Sequence, residues 1–303
     1  MMKTIVILGG TGFVGQHLCR SLVKQGYTVR VLSRNPEKFK AMTVLPTLFI
    51  KKVDVYQQSE LNAACKNADV VINLIGILNE EGLHNGSGFR KAHVMVAQKV
   101  IQACMHNQVP RLLHMSALNA DSTKGSSHYL RTKGEAESYA HKHAMNNIYV
   151  TSFRPSVIFG PNDSFLNRFA HLLDIAPGLL LLPASDSLYA PVYVGDVVTA
   201  MISSIDNAKT YGGRYNLCGP KVYTLKQLVT YVAHLKQSHC KIIGLTPSLS
   251  KIMATVMEFL PGKPFSRDNY LSTRLPSVCD AVFPEVFKIT PTSLESIAPT
   301  YIR

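Results

Sequence analysis

The sequence lacks any apolar run long enough to cross a membrane. Its longest runs, such as GLLLLP around Leu180, are far shorter than the ~20 residues that a transmembrane helix needs. The amino-terminal apolar segment stops at Gly9 and Gly10 and meets no small-residue cleavage site, which argues against a signal peptide. We therefore expect a cytoplasmic protein without a membrane span.

The chain also has few cysteines, and none of them forms a C-x-x-C motif. The 6 cysteines lie mostly within apolar segments, which argues against both a metal cage and a disulfide framework. We expect all of them to be reduced thiols in the core, and we expect no metal site. They are Cys19, Cys65, Cys104, Cys218, Cys240 and Cys279.

Acidic residues are scarce, since 19 Asp and Glu stand against 32 Lys and Arg, which gives a formal net charge of +13. This excess predicts an anionic partner, and the charge alone leaves open a nucleotide phosphate, an acidic protein, a lipid surface or nucleic acid. The basic residues are scattered rather than grouped in a block, and no zinc-finger or RNA-binding signature accompanies them. We therefore expect no nucleic-acid partner.

Short apolar runs alternate with segments of helical spacing through the first half of the chain. KTIVILGG has the pattern of a strand that ends in glycines, and FVGQHLCRSLVKQG then places apolar residues at helical intervals. Later strands such as DVVINLIG are continuously apolar, which suits a parallel sheet buried on both faces. The alternation predicts an α/β fold with a Rossmann-type doubly wound parallel sheet.

The segment GGTGFVG follows the first predicted strand and opens the first predicted helix. Gly9 allows a tight turn, Gly12 lets the backbone approach a pyrophosphate, and Gly15 lets the helix pack on the strand. The phosphates would meet the amino terminus of the helix, where free N–H groups and the helix dipole favour anions. The motif predicts a dinucleotide site. The other turn residues are Thr11, Phe13 and Val14.

The ends of the next strands indicate the choice of cofactor. Arg34 follows the second strand, where NAD-selective proteins usually carry a carboxylate, and its guanidinium can bind a 2′-phosphate. We therefore expect NADP(H) to be favoured over NAD(H), although Arg34 is also open to being a solvated charge. Five further strand-end residues are expected near the adenine and ribose, with a strand-capping role as the alternative. They are Asp54, Val55, Leu74, Ile75 and Gly76.

The regular alternation loosens after Gly160, where prolines divide the chain into short helices and loops. We expect residues 1–160 to form the NADP(H)-binding Rossmann core. Residues 161–303 are expected to complete the sheet and to form a smaller C-terminal cap.

Together these motifs resemble the extended and atypical short-chain dehydrogenases/reductases, which include NAD-dependent epimerases and dehydratases. The resemblance covers nearly the whole chain and is carried by GGTGFVG, SRNPEK, VDV, NLIG, YLRTK, RPSVIFGP and PVYVGDV. Within this superfamily, FRKAHV, HMSALNAD, YLRTKGEAE and LPGKPFSRDNYLS are most similar to the group of the nucleotide-binding accessory subunit of respiratory complex I and its bacterial relatives.

The resemblance implies that Tyr129 and Lys133 are the catalytic pair and also contact the nicotinamide ribose. Four-residue spacing places both side chains on one helix face, and a nearby ammonium is expected to lower the tyrosine pKa so that the phenol can exchange a proton. The resemblance also implies that Ser116, Pro155 and Val157 lie beside the cofactor.

The catalytic set is incomplete by the same comparison. Active members of the superfamily carry a serine or threonine where this chain has Leu118, which cannot polarise a carbonyl. His93 stands where many relatives have an asparagine, and a structural histidine is an equal alternative. Arg154 is open to a structural ion-pair role, and Asp196 is expected to cap a helix.

Two functional hypotheses follow. The first is an NADP(H)-binding protein with a structural or accessory role related to respiratory complex I or quinone metabolism, which Leu118 favours. The second is an active NADPH-dependent oxidoreductase on a hydrophobic carbonyl or quinone-like substrate, which Tyr129 and Lys133 favour. A nucleotide-sensing regulator is a weaker third hypothesis.

A late segment, PSLSKIMATVMEFLPGKPF, carries an apolar stripe at helical spacing, and Pro261 and Gly262 are expected to stop this helix. Such a stripe is usually core. Combined with the positive charge, it also suits docking on an anionic membrane surface, or on a membrane-bound partner at the inner membrane. The stripe consists of Leu249, Ile252, Met253, Val256, Met257 and Leu260.

Overall fold

The chain forms a central parallel sheet with helices on both faces. The computed structural model describes residues 2–80, 85–144, 148–176, 178–260, 265–281 and 283–302. Within these ranges the strands are β1 (Thr4–Leu8), β2 (Thr28–Ser33), β3 (Leu48–Lys52), β4 (Val70–Asn73), β5 (Arg111–Met115), β6 (Tyr149–Pro155), β7 (Ile158–Phe159), β8 (Leu179–Leu182), β9 (Leu188–Tyr189), β10 (Val192–Tyr193), β11 (Arg214–Leu217), β12 (Tyr223–Thr224) and β13 (Lys241–Gly244).

The described α-helices are α1 (Phe13–Lys24), α2 (Gln58–Cys65), α3 (Ser87–Arg90), α4 (Val96–His106), α5 (His128–His143), α6 (Leu166–Ile175), α7 (Val194–Ser203), α8 (Leu225–Leu235), α9 (Pro247–Met257), α10 (Arg267–Thr273) and α11 (Leu294–Ile297). A π-helical turn at Lys91–Met95 joins α3 to α4, so residues 87–106 form one helical segment. The short helix that follows β2 is a 3-10 helix, Pro36–Val44.

The main sheet has the strand order β11-β6-β5-β4-β1-β2-β3, and its neighbouring strands are all parallel. The direction of winding reverses between β1 and β4. In open α/β sheets ligands bind at the carboxyl edge beside such a switch point. The predicted α/β class with a doubly wound parallel sheet is confirmed.

Strand β1 shows why the sheet strands are continuously apolar. Ile5 and Ile7 belong to the cluster on one face, which includes residues of α1 and α7, and Val6 and Leu8 belong to the cluster on the other, with residues of α2, α4 and α5. All four side chains are fully buried. Because both faces are covered, apolar side chains suit all four of these positions, and only the first residue of the strand, Thr4, is polar and half-buried.

The chain after β7 contributes both to the sheet and to a separate cluster. Strand β11 pairs with β6 at the sheet edge, whereas α6, α8 and α11 pack around a third apolar cluster with Leu166, Leu228 and Leu294. The parallel pair β8 and β13 borders this cluster through Leu180 and Ile242.

Helix α9 contains most of the late apolar stripe, and much of this stripe is exposed to solvent. Leu249, Ile252, Val256 and Leu260 are exposed, so the core interpretation is wrong for these four residues, while Met253 and Met257 are half-buried. The helix ends at Met257, and the predicted stop at Pro261 and Gly262 lies outside the described residues. No helix in the described ranges is long and apolar enough to cross a membrane.

The expectation of six reduced core thiols is wrong for two cysteines. Cys218, directly after β11, forms a disulfide with Cys279. Cys19, Cys65 and Cys104 are free and buried, as expected, and burial raises the pKa of each thiol above its usual value, whereas Cys240 is free but only half-buried. The missed pair joins segments 61 residues apart, and neither cysteine belongs to a motif that marks the bond.

Candidate dinucleotide-binding site

The glycine turn lies between β1 and α1, at the carboxyl edge of the sheet. Gly9 has a φ of +78°, and a Cβ there would lie 3.0 Å from the backbone of Leu74 at the end of β4. A Cβ on Gly15 would lie 2.4 Å from the Gly9 oxygen. Gly9 therefore makes the turn, and Gly15 lets α1 pack against it.

Gly12 differs from Gly9 and Gly15, because the surface beside its Cα is open to solvent. A Cβ on Gly12 would meet only the Gly9 oxygen, at 3.3 Å, and Gly12 itself is exposed as the N-cap of α1. The helix has no side-chain cap, so its first N–H groups are available to an anion. An uncapped helix end beside an open glycine fits a pyrophosphate. The adjoining residues Thr11, Phe13 and Val14 are half-buried.

Strand ends β2 and β3 place the predicted adenine-side residues at the same edge. Arg34 is exposed directly after β2, and no carboxylate in the described part of the chain pairs with it. The Asp54 carboxylate accepts a hydrogen bond from the Tyr56 N–H at 3.0 Å, which makes a local turn. Val55 is buried among residues of β1 and α2. These contacts of Asp54 and Val55 fit the strand-capping alternative, and their place near the adenine stays a prediction.

Residues 74–76 follow β4 and adjoin the Tyr/Lys helix. The Asn73 side chain accepts the Ile75 N–H at 3.1 Å, and the Leu74 N–H donates to the Leu8 carbonyl at 2.9 Å. A Cβ on Gly76 would lie 2.8 Å from the Lys133 Nζ. Glycine at this position therefore lets the ammonium approach the backbone.

Helix α5 carries Tyr129 and Lys133 and is capped twice at its amino terminus. Ser127 accepts the Leu130 N–H at 3.1 Å, and the Asp268 carboxylate of α10 accepts the N–H groups of His128 and Tyr129 at 2.7 and 3.1 Å. The Tyr129 ring packs edge-on against His93, with centroids 5.5 Å apart. The end of the helix that holds the tyrosine is thus fixed by a distant segment.

The electrostatics of the pair differ from the prediction. Burial raises the pKa of Tyr129 to about 12, and the Asp268 carboxylate adds to the shift. Burial lowers the pKa of Lys133 to about 8, with Glu137 acting in the opposite direction. The Lys133 ammonium donates to the carbonyls of Met115 and Ile75, at 3.0 and 3.4 Å. The expected lowering of the tyrosine pKa by the ammonium is therefore wrong for the protein alone.

His93 has a structural role. Its Nε2 accepts the Ile77 N–H at 3.2 Å, which leaves the proton on Nδ1 for the Thr132 hydroxyl at 2.8 Å. Burial and the Lys133 charge lower the pKa of His93 to about 2. The imidazole is therefore neutral, and both of its nitrogens are hydrogen-bonded. It holds the backbone at Ile77 against α5 and is not free to relay a proton.

The position of the missing catalytic hydroxyl is covered by apolar side chains. Leu118 is buried in a small cluster with Ala190 and Cys218, against which Cys279 packs. The segment that carries Cys279 is tied down, since the Asn119 side chain donates to the Pro276 carbonyl at 2.8 Å and the Ser156 hydroxyl to the Ser277 carbonyl at 2.7 Å. Residues 276–279 are thereby held next to Leu118 and its apolar neighbours.

The other predicted residues near the nicotinamide side lie at the ends of β5 and β6. Ser116 follows β5, and its buried hydroxyl lies beside the Glu137 carboxylate, whose pKa it helps to lower. Pro155 ends β6 and accepts the Leu118 N–H at 3.0 Å, and the Val157 carbonyl accepts the Val192 N–H at 2.9 Å. The structure thus brings these residues to one edge with the glycine turn.

An ion cluster around the buried Glu137 carboxylate lies behind the Tyr/Lys pair. Glu137, one turn after Lys133, accepts hydrogen bonds from Arg154 at 2.5 to 3.1 Å and pairs with Arg214 at 2.8 Å. Burial alone would raise the pKa of Glu137, but the hydrogen bonds from Arg154 lower it below its usual value. Arg154 therefore has the structural ion-pair role.

The predicted N-cap role of Asp196 is wrong. Tyr193 precedes α7 as its N-cap, and Asp196 lies in the first turn of the helix. Its carboxylate accepts the N–H and the hydroxyl of Thr292, at 2.7 and 2.9 Å. Asp196 therefore fixes the C-terminal segment onto α7.

A cavity of about 250 Å³ lies next to the amino-terminal end of α5. Its lining includes Phe89 and His128 together with the side chains of Glu80, Glu258 and Asp268. Asp268 is the functional candidate that the sequence did not reveal. Its own helix carries a capping-box signature, Ser266 to Asn269, but nothing local indicates that it bonds to α5.

Comparison with known proteins identifies the family. The profile of the NAD dependent epimerase/dehydratase family matches residues 5–218. Among solved structures, the UDP-glucuronic acid 4-epimerase from Bacillus cereus, in complex with UDP-glucuronic acid and NAD, superposes with a TM-score of 0.69. Its sequence is 17% identical, and the match covers 89% of this chain and 99% of the epimerase. This likeness concerns the fold.

Curated relatives bear out the narrower resemblance. The chain is 31% identical over 264 residues to the mitochondrial NADH dehydrogenase (ubiquinone) 1 alpha subcomplex subunit 9 of Arabidopsis thaliana, a match that covers 85% of this chain and 64% of that subunit. It is 27% identical over 259 residues to the mitochondrial NADH-ubiquinone oxidoreductase 40 kDa subunit of Neurospora crassa, with coverages of 84% and 66%. The chain thus spans less than two thirds of these relatives. It belongs to the NAD dependent epimerase/dehydratase family.

Proposed function

We propose that this protein binds NADP(H) and serves as an accessory component of a membrane-associated respiratory assembly, with slow or absent turnover. The observation that carries the proposal is the contrast between the two ends of the site. The pyrophosphate end is open at Gly12, whereas Leu118, where active members have a hydroxyl, is buried in an apolar cluster beside residues 276–279. Binding without turnover needs only the open end.

Residues 1–160 would hold the dinucleotide and residues 161–303 would cover its nicotinamide side. In this arrangement the first-turn N–H groups of α1 bind the pyrophosphate, and Arg34 binds a ribose 2′-phosphate. Lys133 and Tyr129 would contact the nicotinamide ribose, and Pro155 and Val157 the carboxamide. The bound group would supply hydride chemistry, but Leu118 offers no hydroxyl to a carbonyl.

The respiratory role is supported by the relatives, whose names are those of mitochondrial NADH dehydrogenase subunits. We propose a location on the cytoplasmic surface of an inner membrane, as a peripheral protein. The positive net charge and the exposed stripe on α9 suit such a surface.

The second candidate is an active NADPH-dependent oxidoreductase acting on a hydrophobic carbonyl or quinone-like substrate. The intact pair of Tyr129 and Lys133 favours it. The cavity beside α5 argues against an apolar substrate there, because three carboxylates and Arg267 line it.

Titration of the purified protein with NADPH and NADH tests the binding proposal. We expect NADPH to bind at least about ten times more tightly, because a charge-assisted contact from Arg34 contributes about 1.5–3 kcal/mol. Equal affinities would remove Arg34 from its proposed role, and the absence of binding to either cofactor would overturn the function.

A further inference from the structure

Helix α9 and the turn after it expose an unusual density of large apolar side chains. Five such side chains are 48% to 73% exposed within twelve residues. The spacing of Leu249, Ile252 and Val256 places them along one stripe of the helix, and Phe259 and Leu260 extend this stripe into the turn after it. We call this stripe the α9 face. It consists of Leu249, Ile252, Val256, Phe259 and Leu260.

The α9 face points outward because the helix is held by its opposite side. Ser250 and Ala254 are fully buried there, and Glu258 follows one turn later and is buried as well. Ser250 Oγ accepts the Ala184 N–H at 3.1 Å, and Glu258 accepts from Arg267 Nε at 2.6 Å. Small and polar residues thus pack inward, which reverses the usual pattern of a surface helix.

The exposed charges near the α9 face include more cations than acids, the acid being Asp186, which lines the cavity at the start of α9 together with Arg274. Lys241, Lys251 and Arg274 are exposed in this part of the chain. The acids Glu258 and Asp268 are buried, Glu258 against Arg267 and Asp268 against the amides that begin α5. The surface offered to a partner therefore combines apolar side chains with cations.

We propose that the α9 face is a peripheral attachment site for an anionic lipid bilayer. Apolar side chains inserted at the headgroup boundary, with lysines above them, are the pattern of an interfacial helix. A second copy of this chain is a poorer occupant, since pairing two α9 faces would bring like charges together on a protein with a net charge of +13. The inference deepens the proposed membrane-associated role and concerns residues outside the dinucleotide site.

Sedimentation with vesicles of phosphatidylcholine, with or without phosphatidylglycerol, tests the proposal. We expect the wild-type protein to bind the anionic vesicles at low salt and to bind the neutral ones at least about ten times more weakly. The Ile252→Gln/Val256→Gln variant should bind the anionic vesicles at least about tenfold more weakly, since both side chains lose their insertion. The Lys251→Gln variant should bind the anionic vesicles about fivefold more weakly than the wild type.

Matched controls separate the α9 face from general surface effects. Val44→Gln/Met105→Gln removes two side chains that are 81% and 58% exposed elsewhere, and it should bind vesicles like the wild type. Every variant should also retain NADPH affinity, which shows that it is folded and keeps this test separate from the cofactor site.

Three results would overturn the proposal. One is unchanged vesicle binding by the Ile252→Gln/Val256→Gln variant, and another is no preference of the wild type for anionic vesicles. The third is concentration-dependent dimerisation in ultracentrifugation that the same variant abolishes, since the occupant would then be a second copy. Failure of NADPH binding with intact vesicle binding would instead contradict the proposed function alone.

Discussion

Replacing Glu137 by glutamine should destabilise the fold, because this carboxylate compensates two guanidinium groups behind the Tyr/Lys helix. The Glu137 side chain is 1% exposed, whereas those of its partners Arg154 and Arg214 are 29% and 40% exposed. Breaking a fully buried pair typically costs about 3–5 kcal/mol. Since solvent screens both arginines, we expect a loss of about 2 kcal/mol in the free energy of unfolding for Glu137→Gln.

Urea unfolding followed by circular dichroism measures this loss, and a thermal melt should show a decrease in Tm of about 3 °C. The matched control is Glu135→Gln on the same helix. Glu135 pairs with Arg90 at 2.7 Å, but both side chains are substantially exposed, so its loss should stay below about 0.5 kcal/mol. Equal effects of the two substitutions, or a Glu137→Gln protein as stable as the wild type, would refute the reasoning.

The same contact has a pH signature with a definite sign. The pKa of Glu137 is lower in the folded protein than in the unfolded chain, so the unfolded chain takes up a proton first as pH falls. The stabilisation is therefore present above the usual glutamate pKa and is lost as pH falls through the folded value. Glu137→Gln should flatten the acid side of the stability curve.

Further predictions concern the cofactor site and its cover. Gly12→Val should abolish the binding of both cofactors while the protein stays folded, because the added side chain occupies the pyrophosphate surface; retained affinity in a titration would contradict the site. Arg34→Ala should reduce the NADPH preference by about tenfold or more and leave NADH affinity unchanged. The NADPH affinity should fall above pH 8, because the pKa of Lys133 is lowered to about 8 by burial and its ammonium is then lost; Lys133→Met should remove this pH dependence.

The parts of the fold that follow from neighbouring residues were predictable. The glycine turn, the alternation of strands and helices, and the pairing of Tyr129 with Lys133 on one helix all depend on local spacing. The open environment of Gly12 also agrees with the role that its place in the motif predicts. In each case the determining residues lie within a few positions of each other.

The rest depends on contacts between distant segments. Asp268 bonds to amides about 140 positions earlier, and this contact helps to raise the tyrosine pKa that the local pattern predicted to be low. The disulfide of Cys218 likewise joins two segments that no motif connects. The apolar spacing of α9 did not show whether the stripe is buried or exposed. Ser250 and Ala254 on the opposite face of the helix pack against the rest of the protein, and this leaves the stripe exposed.

The most direct test of binding without turnover is a measurement of NADPH fluorescence on mixing the cofactor with excess protein and then adding a soluble quinone. We predict an increase in nicotinamide fluorescence as the cofactor binds, followed by a stable signal after the quinone is added. No fluorescence change on mixing would contradict the dinucleotide site. A decay of the bound signal at about 1 per second or faster, typical of enzymes, would contradict the accessory role and favour an active oxidoreductase.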